Sequence, residues 1–225
     1  MSVRKGKLWQ LLAEDGSALT EMKWQSLVVD YYQPELSKIE ANDAWGLLNA
    51  KTGEIVIAPR FESIFRPTRD LNPTFIAVDD TGIGRLFDAT GKKLCELPEL
   101  ELERVEKQSK GWPLQFIDDL VVYPRKSGWG AIDVAGNTKI PFHYDFIGAR
   151  GQRGSIVDDG LVQVTLGDKT GFVTTEGKAV SQPKWDTAGF FSEGLAYVSY
   201  GNRWAFINKS GKVAIGPFDM GQAAK

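Results

Sequence analysis

The chain has 225 residues, of which 42% are hydrophobic and 25% are charged, values that are ordinary for a globular protein able to bury a core. Its 27 basic and 29 acidic residues leave a net charge of −2, which excludes a general attraction to polyanions and predicts no nucleic-acid partner. The single Cys95 excludes an internal disulfide framework, and no apolar run approaches the roughly 18 residues of a membrane helix, so we expect a cytoplasmic protein that binds no membrane.

A tryptophan, or a residue in its place, is followed seven or eight residues later by glycine at six points along the chain. Successive glycines are 34 to 45 residues apart, a period typical of repeat proteins whose repeats bury their apolar faces against one another. In chain order the pairs are Trp9/Gly16, Trp45/Gly53, Gly84/Gly91, Trp129/Gly136, Thr170/Gly177 and Trp204/Gly211.

Each pair predicts a β-hairpin turn between two strands. Asn or Asp stands shortly before most of the glycines, as Asp133 and Asn208 do, and its side chain can cap the turn that glycine closes with a positive φ. A short closing strand follows the glycine and ends in proline and an aromatic residue, for example in residues 59–61 and 183–185. Proline fits the end of a strand because it lacks the N–H that a ladder requires.

A leading strand is predicted to begin eleven residues before the first residue of each pair except the first pair. Its starting points are Pro34, Pro73, Asp118, Asp159 and Glu193. Too few residues precede Trp9 for the same strand, so we expect the first repeat to be incomplete and to lack its leading strand.

These patterns predict an all-β fold of tandem repeats of about 37 residues, each a three-stranded antiparallel unit. The repeats would form a propeller-like toroid or, alternatively, an open twisted β-repeat array, because three strands are few for a four-stranded propeller blade. We expect a single domain over residues 1–225 with about six repeats.

Three segments share a tryptophan near a glycine turn and a short closing strand. They are DAWGLLNAKTGEIVIAPRFESI, SGWGAIDVAGNTKIPFHYDFI and GFFSEGLAYVSYGNRWAFINKSGKVAI, and the dipeptide WG itself stands at residues 45–46 and 129–130. In these features the chain resembles the WG-repeat (KWG) family of mostly bacterial β-repeat proteins. The resemblance implies a β-repeat fold and an interaction role, and it carries no catalytic residues.

Most aromatic residues stand in register with the repeat, which predicts that they form the core between repeats. Trp112 alone among the tryptophans is out of register, in the longest loop between strands, where it would be either a binding anchor or a plug against the core. The residues in register are Trp9, Trp45, Trp129 and Trp204 at one position, and Trp24, Phe61, Tyr144, Trp185 and Phe218 at another.

No pattern of catalytic or metal-binding residues stands out, so we expect no enzyme activity, no metal and no cofactor. His143 is the only histidine and is expected at the surface, and Cys95 stands where other repeats have isoleucine, which is typical of a small apolar filler. Asp118, Asp159 and Glu193 are equivalent in the repeat, so we expect them to support turns rather than catalysis.

The loops that lead from one repeat to the next vary most in length, and insertions in repeat proteins mark the binding face. We therefore expect a monomeric, non-enzymatic module that binds another protein through these loops. The alternatives are a small-ligand (carbohydrate or nucleotide) binding protein and, with least support, a hydrolase using two loop carboxylates. The candidate binding residues are Trp112, Arg66, Arg69, Arg150 and Arg153.

Overall fold

The computed structural model describes residues 1–29, 35–65, 74–104, 115–117, 120–148, 157–158, 160–219 and 221. Within these residues, strands β1 to β23 form six sheets, which we number 1 to 6 in chain order. Every strand pairing is antiparallel, so the all-β prediction of antiparallel repeats is confirmed.

Sheets 1 to 3 belong to one compact unit of the chain. Sheet 1 contains β1 (Ser2–Lys5) and β2 (Leu8–Leu11). Sheet 2 contains β3 (Ser26–Val29), β4 (Leu36–Ala41), β5 (Ala44–Asn49) and β6 (Ile55–Phe61). Sheet 3 contains β7 (Ser63–Phe65), β8 (Thr74–Val78), β9 (Gly84–Asp88) and β10 (Lys93–Leu97).

Sheets 4 to 6 belong to a second compact unit, and the prediction of a single domain over residues 1–225 stays a prediction. Sheet 4 contains β11 (Gln115–Ile117), β12 (Leu120–Arg125), β13 (Gly128–Asp133) and β14 (Thr138–Tyr144). Sheet 5 contains β15 (Phe146–Ile147), β17 (Leu161–Leu166), β18 (Lys169–Thr174) and β19 (Ala179–Trp185), with β16 (Val157–Asp158) also paired to β17. Sheet 6 contains β20 (Thr187–Ser192), β21 (Leu195–Tyr200), β22 (Arg203–Asn208) and β23 (Val213–Asp219).

Sheets 2 to 6 contain the three predicted strands of a repeat and at least one more. The leading, middle and closing strands are the last three strands of each sheet, and the added outer strand precedes them. It follows the closing aromatic residue of the preceding repeat, as β7 follows Phe61 and β20 follows Trp185. Four of these outer strands, β7, β11, β15 and β16, are only two or three residues long, too short for an alternating pattern to predict them. With the outer strand, a repeat has the four strands typical of a propeller blade.

The first repeat is incomplete, but the strand expected to be missing is present. Strand β1 is its leading strand and pairs with β2, with Arg4 opposite Trp9. The prediction was wrong because a two-residue hairpin and four strand residues fit into the short segment before Trp9. The closing strand is the reduced one, since isolated bridges join Trp9 to Trp24 and Leu12 to Ala18.

The predicted hairpin turns are present between middle and closing strands. In sheet 4 the Gly136 N–H donates to the carbonyl oxygen of Asp133 at 2.9 Å, and Gly136 has a φ of 91°. Asp133 Oδ1 accepts the N–H groups of Ala135 and Asn137 at 3.0 and 2.8 Å. Asn208 caps the corresponding turn of sheet 6 in the same way. The short polar side chain and the glycine therefore act as the repeat pattern predicts.

Within each compact unit, successive sheets pack face to face. We call the face that carries the first residue of the Trp/Gly pair the forward face, and the opposite one the rear face. Between sheets 4 and 5, Trp129 and Tyr144 of the forward face pack with Val162 and Val173 of the rear face. Equivalent clusters join sheet 1 to 2, sheet 2 to 3 and sheet 5 to 6. The repeat-register aromatic residues thus contribute to the core between sheets, as predicted.

Candidate interaction surface

The five candidate binding residues from the variable loops lie outside the residues that the structure describes. A binding role for these loops therefore stays a prediction. The residues are Trp112, Arg66, Arg69, Arg150 and Arg153.

Three other residues singled out from the sequence are placed by the structure. His143 is exposed and Cys95 is buried in β10, both as predicted. Glu193 lies in the two-residue turn between β20 and β21 with a φ of 52°, which confirms its predicted turn position. Its repeat equivalents Asp118 and Asp159 lie outside the described residues.

The forward face of sheet 6 carries a continuous aromatic cluster. The ring centroid of Trp204 lies 4.7 Å from that of Phe218, 5.9 Å from Phe206 and 6.3 Å from Tyr197. Ile215 of β23 pairs with Phe206 of β22, so both side chains project from the same face. We call these five residues the aromatic face. They lie on three neighbouring antiparallel strands of one sheet, β21, β22 and β23.

Ile215 and Phe218 of the aromatic face are exposed, although the residues at their positions in sheets 2, 4 and 5 are buried. Phe218 is 40% exposed, whereas the residues at its position in sheets 2, 4 and 5 are 2%, 7% and 5% exposed: Phe61, Tyr144 and Trp185. Ile215 is 46% exposed, whereas its equivalents are 3%, 0% and 5% exposed: Ile57, Ile140 and Ser181. All seven residues of β23 are exposed, whereas β6, β14 and β19 share one pattern with buried third and seventh residues.

The prediction that every repeat-register aromatic residue is part of the core is therefore wrong for Phe218. The register determines which face a side chain occupies, but burial also requires a sheet that covers this face. The described residues supply no such sheet to β23. Tyr197 and Ile215 could not be singled out from the sequence, because nothing in the local pattern separates them from buried residues of other repeats.

A carboxylate directly after the closing aromatic residue ties one sheet to the next. Asp145 Oδ2 accepts the N–H of Gly167, which lies in the hairpin turn between the leading and middle strands of sheet 5, at 2.6 Å. Asp186 Oδ2 accepts the N–H of Gly201, in the same turn of sheet 6, at 2.5 Å. The two junctions are built alike because both the carboxylate and the turn glycine recur with the repeat.

The last carboxylate of this series, Asp219, has the same kind of basic partner within its own sheet as Asp186. Asp186 is also hydrogen-bonded to Lys169, and this bond, with that from Gly201, holds the pKa of Asp186 below its ordinary value. Asp219 follows Phe218 at the equivalent position, and its Oδ1 accepts a hydrogen bond from Arg203 Nε of the same sheet at 3.2 Å. Both side chains of the Arg203–Asp219 pair are exposed, at the rim of the aromatic face.

Other acidic side chains are engaged in turns rather than gathered in a cleft. Hydrogen bonds from Thr81 and Arg85 hold the pKa of Asp79 well below its ordinary value. Hydrogen bonds from the side chain and backbone of Asn137 lower the pKa of Asp133. Within the described ranges, no group of three or more His, Cys, Asp or Glu side chains is placed to hold a metal ion. No helix in this part of the chain has the length and apolar composition that crossing a membrane requires.

Comparison with protein families identifies the repeat. The profile of the WG-containing repeat matches residues 45–71, 129–149 and 171–204. Three segments of the chain carry the WG repeat. The matched segments include the intact WG dipeptides of sheets 2 and 4, so the resemblance drawn from the sequence is confirmed. A comparison with curated protein sequences found no match.

Solved structures similar to this WG-repeat chain have low sequence identity and low TM-scores. The computationally designed Ika8 protein matches with 13% identity and a TM-score of 0.35, over 99% of this chain and 87% of that one. PorZ from Porphyromonas gingivalis matches with 11% identity and a TM-score of 0.39, over 95% of this chain and 29% of that one. BamB from Moraxella catarrhalis matches with 15% identity and a TM-score of 0.41, over 94% of this chain and 61% of that one.

Proposed function

We propose that this WG-repeat chain is a non-enzymatic protein-interaction module and that the aromatic face of sheet 6 is its binding surface. The observation that carries the proposal is the exposure of Ile215 and Phe218 at positions that form the core in other sheets, beside the exposed Tyr197. A face with the composition of a protein interior gains free energy when it is covered, because burial removes its apolar surface from water.

The chemistry of the face supports a protein as the partner. Aromatic residues are enriched at the centres of protein interfaces, where a few of them supply most of the binding energy. Trp204 is the central ring, since it contacts both Phe206 and Phe218. The side chains project from paired strands, so little conformational entropy is lost when a partner orders them. The exposed Arg203–Asp219 pair supplies a polar rim that can set the orientation of a partner.

The roles of the acidic residues support a non-enzymatic function. General acid–base catalysis needs carboxyl groups that can reach a substrate and whose pKa values lie near the working pH. Asp79 and Asp133 instead accept hydrogen bonds within their own turns, and their pKa values are lowered. Asp145 and Asp186 accept backbone hydrogen bonds at the sheet junctions. Each of these carboxylates has a structural task.

Site-specific photo-crosslinking in cells tests the proposal. A photoreactive phenylalanine analogue replaces Tyr197 in one variant and Ile55 in a control variant, since Ile55 is also exposed, at 50%, but lies at the start of β6. We expect a crosslinked protein, identified by mass spectrometry, from position 197 and none of the same identity from position 55. The crosslink should disappear when Ile215→Lys is added, because a charged side chain would have to be desolvated within the interface.

Absence of a protein crosslink at position 197 would contradict the proposal. A thermal-shift panel of sugars and nucleotides then tests the small-ligand alternative, because exposed aromatic rings can also stack on such ligands. A ligand whose stabilising effect is lost in Phe218→Ala but retained in Ile55→Ala would assign the aromatic face to a small molecule instead.

A further inference from the structure

We infer that the partner of the aromatic face is a second copy of this chain, which covers it with the rear face of its own sheet 1. This inference rests on the proposed function and names the partner. Within each compact unit, a forward face packs on the rear face of the following sheet, so these contacts define the shape and chemistry that complement the aromatic face. Between sheets 5 and 6, the rear face contributes Ala196, Val198 and Ile207, all fully buried.

The rear face of sheet 1 has the same register and is uncovered. Val3 of β1 pairs with Gln10 of β2, as Val198 pairs with Ala205 in sheet 6. Val3 is 36% exposed, whereas the residues at its position in sheets 2, 5 and 6 are 0% exposed: Ile39, Val164 and Val198. Leu12, which follows the buried Leu11, is only partly buried on the same side. Apolar side chains are therefore exposed both on the rear face of sheet 1, beside Gln10, and on the forward face of sheet 6.

The turn glycines supply a second observation in favour of a contact between the rear face of sheet 1 and the forward face of sheet 6. In four repeats a Cβ on the turn glycine would lie 2.1 to 2.4 Å from a carbonyl oxygen near the start of the preceding closing segment. These contacts are Gly53 with Leu19, Gly91 with Val56, Gly177 with Lys139 and Gly211 with Val180. Gly16 has the same kind of conformation, with a φ of 85°, but a Cβ there would meet nothing within 4 Å. The next carbonyl in the series is that of Ala214 in the exposed β23, so Gly16 of a second copy would lie against it.

The junction carboxylates supply a third sign. Asp145 and Asp186 each accept the N–H of a glycine in the hairpin that leads into the next middle strand. Asp219 is the next carboxylate in the series, and Gly6 occupies the matching turn between β1 and β2 with a φ of 64°. In the association we infer, Asp219 of one copy accepts the N–H of Gly6 from another. The apolar faces, the turn glycine and the carboxylate all specify the same docking.

This docking joins two different surfaces, so it is a head-to-tail association. The pair then still has one free rear face, on the copy whose forward face is covered, and one free forward face, on the other copy. A heterologous contact of this kind produces a ring when the rotation closes and a longer chain when it does not. The expected solution behaviour is growth of the oligomer with concentration rather than a dimer that saturates.

Sedimentation velocity over a wide concentration range measures the oligomeric state of the purified full chain and of variants in which a lysine blocks one face. Ile215→Lys blocks the forward face and Val3→Lys blocks the rear face, while Ile55→Lys is a control at an equally exposed apolar residue outside both faces. We expect the wild type and the control to form oligomers and each blocked variant alone to be monomeric. An equimolar mixture of the two blocked variants should form a dimer and nothing larger, because it contains one competent forward face and one competent rear face.

Two results would overturn the inference in different ways. Oligomers of Val3→Lys that match the wild type would show that the aromatic face pairs with itself or with another surface. A wild type that stays monomeric at every concentration would exclude a second copy as the partner. In that case a crosslink from position 197 to a different protein would still support the proposed function, so the two proposals fail separately.

Glycine variants test the docking without adding charge. Gly16→Ala places a methyl group where the carbonyl of Ala214 in the second copy would lie, so we expect association to weaken roughly tenfold or more. Gly82→Ala is the matched control, because Gly82 also has a positive φ, at 78°, and open space around a Cβ. Equal association of the two alanine variants would contradict the docking, and their melting temperatures report any shared cost of the backbone conformation.

Discussion

Gly177 lies so close to the carbonyl oxygen of Lys139 that a Cβ on this glycine would stand 2.1 Å from that oxygen. Its φ of 77° lies in the left-handed region that side chains disfavour. Glycine is therefore required at position 177 for two reasons: the positive φ of the turn and the close approach of two sheets. The Trp/Gly pairing in the sequence thus marks contacts between repeats as well as turns within them.

Substitution of Gly177 separates the two requirements. Gly177→Ala should lower the free energy of unfolding by about 2–4 kcal/mol, since it adds a backbone clash to the cost of a positive φ. Gly82→Ala should cost only about 1–2 kcal/mol, because a Cβ there meets nothing within 4 Å. Urea unfolding measures both. Equal costs would show that the conformation alone, and not the contact with Lys139, selects glycine.

Glycine at the second position of the WG dipeptide is required for a different reason. Gly171, which occupies this position in sheet 5, illustrates it. A Cβ on Gly171 would lie 2.4 Å from the carbonyl oxygen of Ser181 and 2.6 Å from the nitrogen of Pro183, where the closing strand bulges. We expect Gly171→Ala to destabilise the protein by about 2–4 kcal/mol in urea unfolding. Sheet 6 has Ala205 at this position and Gly216 in the facing bulge. The control Ala205→Gly should cost about 1 kcal/mol or less, and a larger cost than for Gly171→Ala would contradict the explanation.

The strands that local chemistry defines could be predicted from the sequence. Turns such as that of Asp133 are set by a short polar side chain and a glycine, and the strands on either side follow from them. Strand β7 could not be predicted, because three residues carry no period and its pairing with β8 depends on tertiary packing. The length of the hairpin turn between β8 and β9 of sheet 3 could not be predicted either. Val78 pairs with Gly84 there, whereas Ala41 pairs directly with Ala44 in sheet 2, so a constant spacing along the chain conceals a longer turn.

The candidate surface could not be predicted, because its residues are those of the core. Phe218 closes the last repeat as Phe61 closes an earlier one, and only the presence or absence of a covering sheet separates them. A window of sequence around Phe218 does not contain this information.

Acid should destabilise the protein through its turn carboxylates. Hydrogen bonds lower the pKa of Asp133 from its ordinary value of 3.8, so the charged form stabilises the fold above pH 3.8 and this contribution is lost as the pH falls through the lowered pKa. The melting temperature should therefore decline below about pH 3.8. Asp133→Asn should retain the turn, since Asn208 caps the equivalent one, and should show a weaker decline in this range. Identical pH profiles of the variant and the wild type would contradict the role of this carboxylate.

Phe61 and Phe218 provide a matched test of the exposed face, because the same residue type occupies the same repeat position with 2% and 40% exposure. Phe61→Ala should destabilise the protein by about 3–5 kcal/mol, since it leaves a cavity between two packed sheets. Phe218→Ala should cost about 1 kcal/mol in dilute solution, because its ring is only partly removed from water. Urea unfolding at low protein concentration measures both values. Raising the concentration should increase the cost of Phe218→Ala but not that of Phe61→Ala, because only the wild-type ring at position 218 gains burial when the face is covered. A cost for Phe218→Ala as large as that for Phe61→Ala at the lowest concentration would mean that the aromatic face is already covered within a single chain.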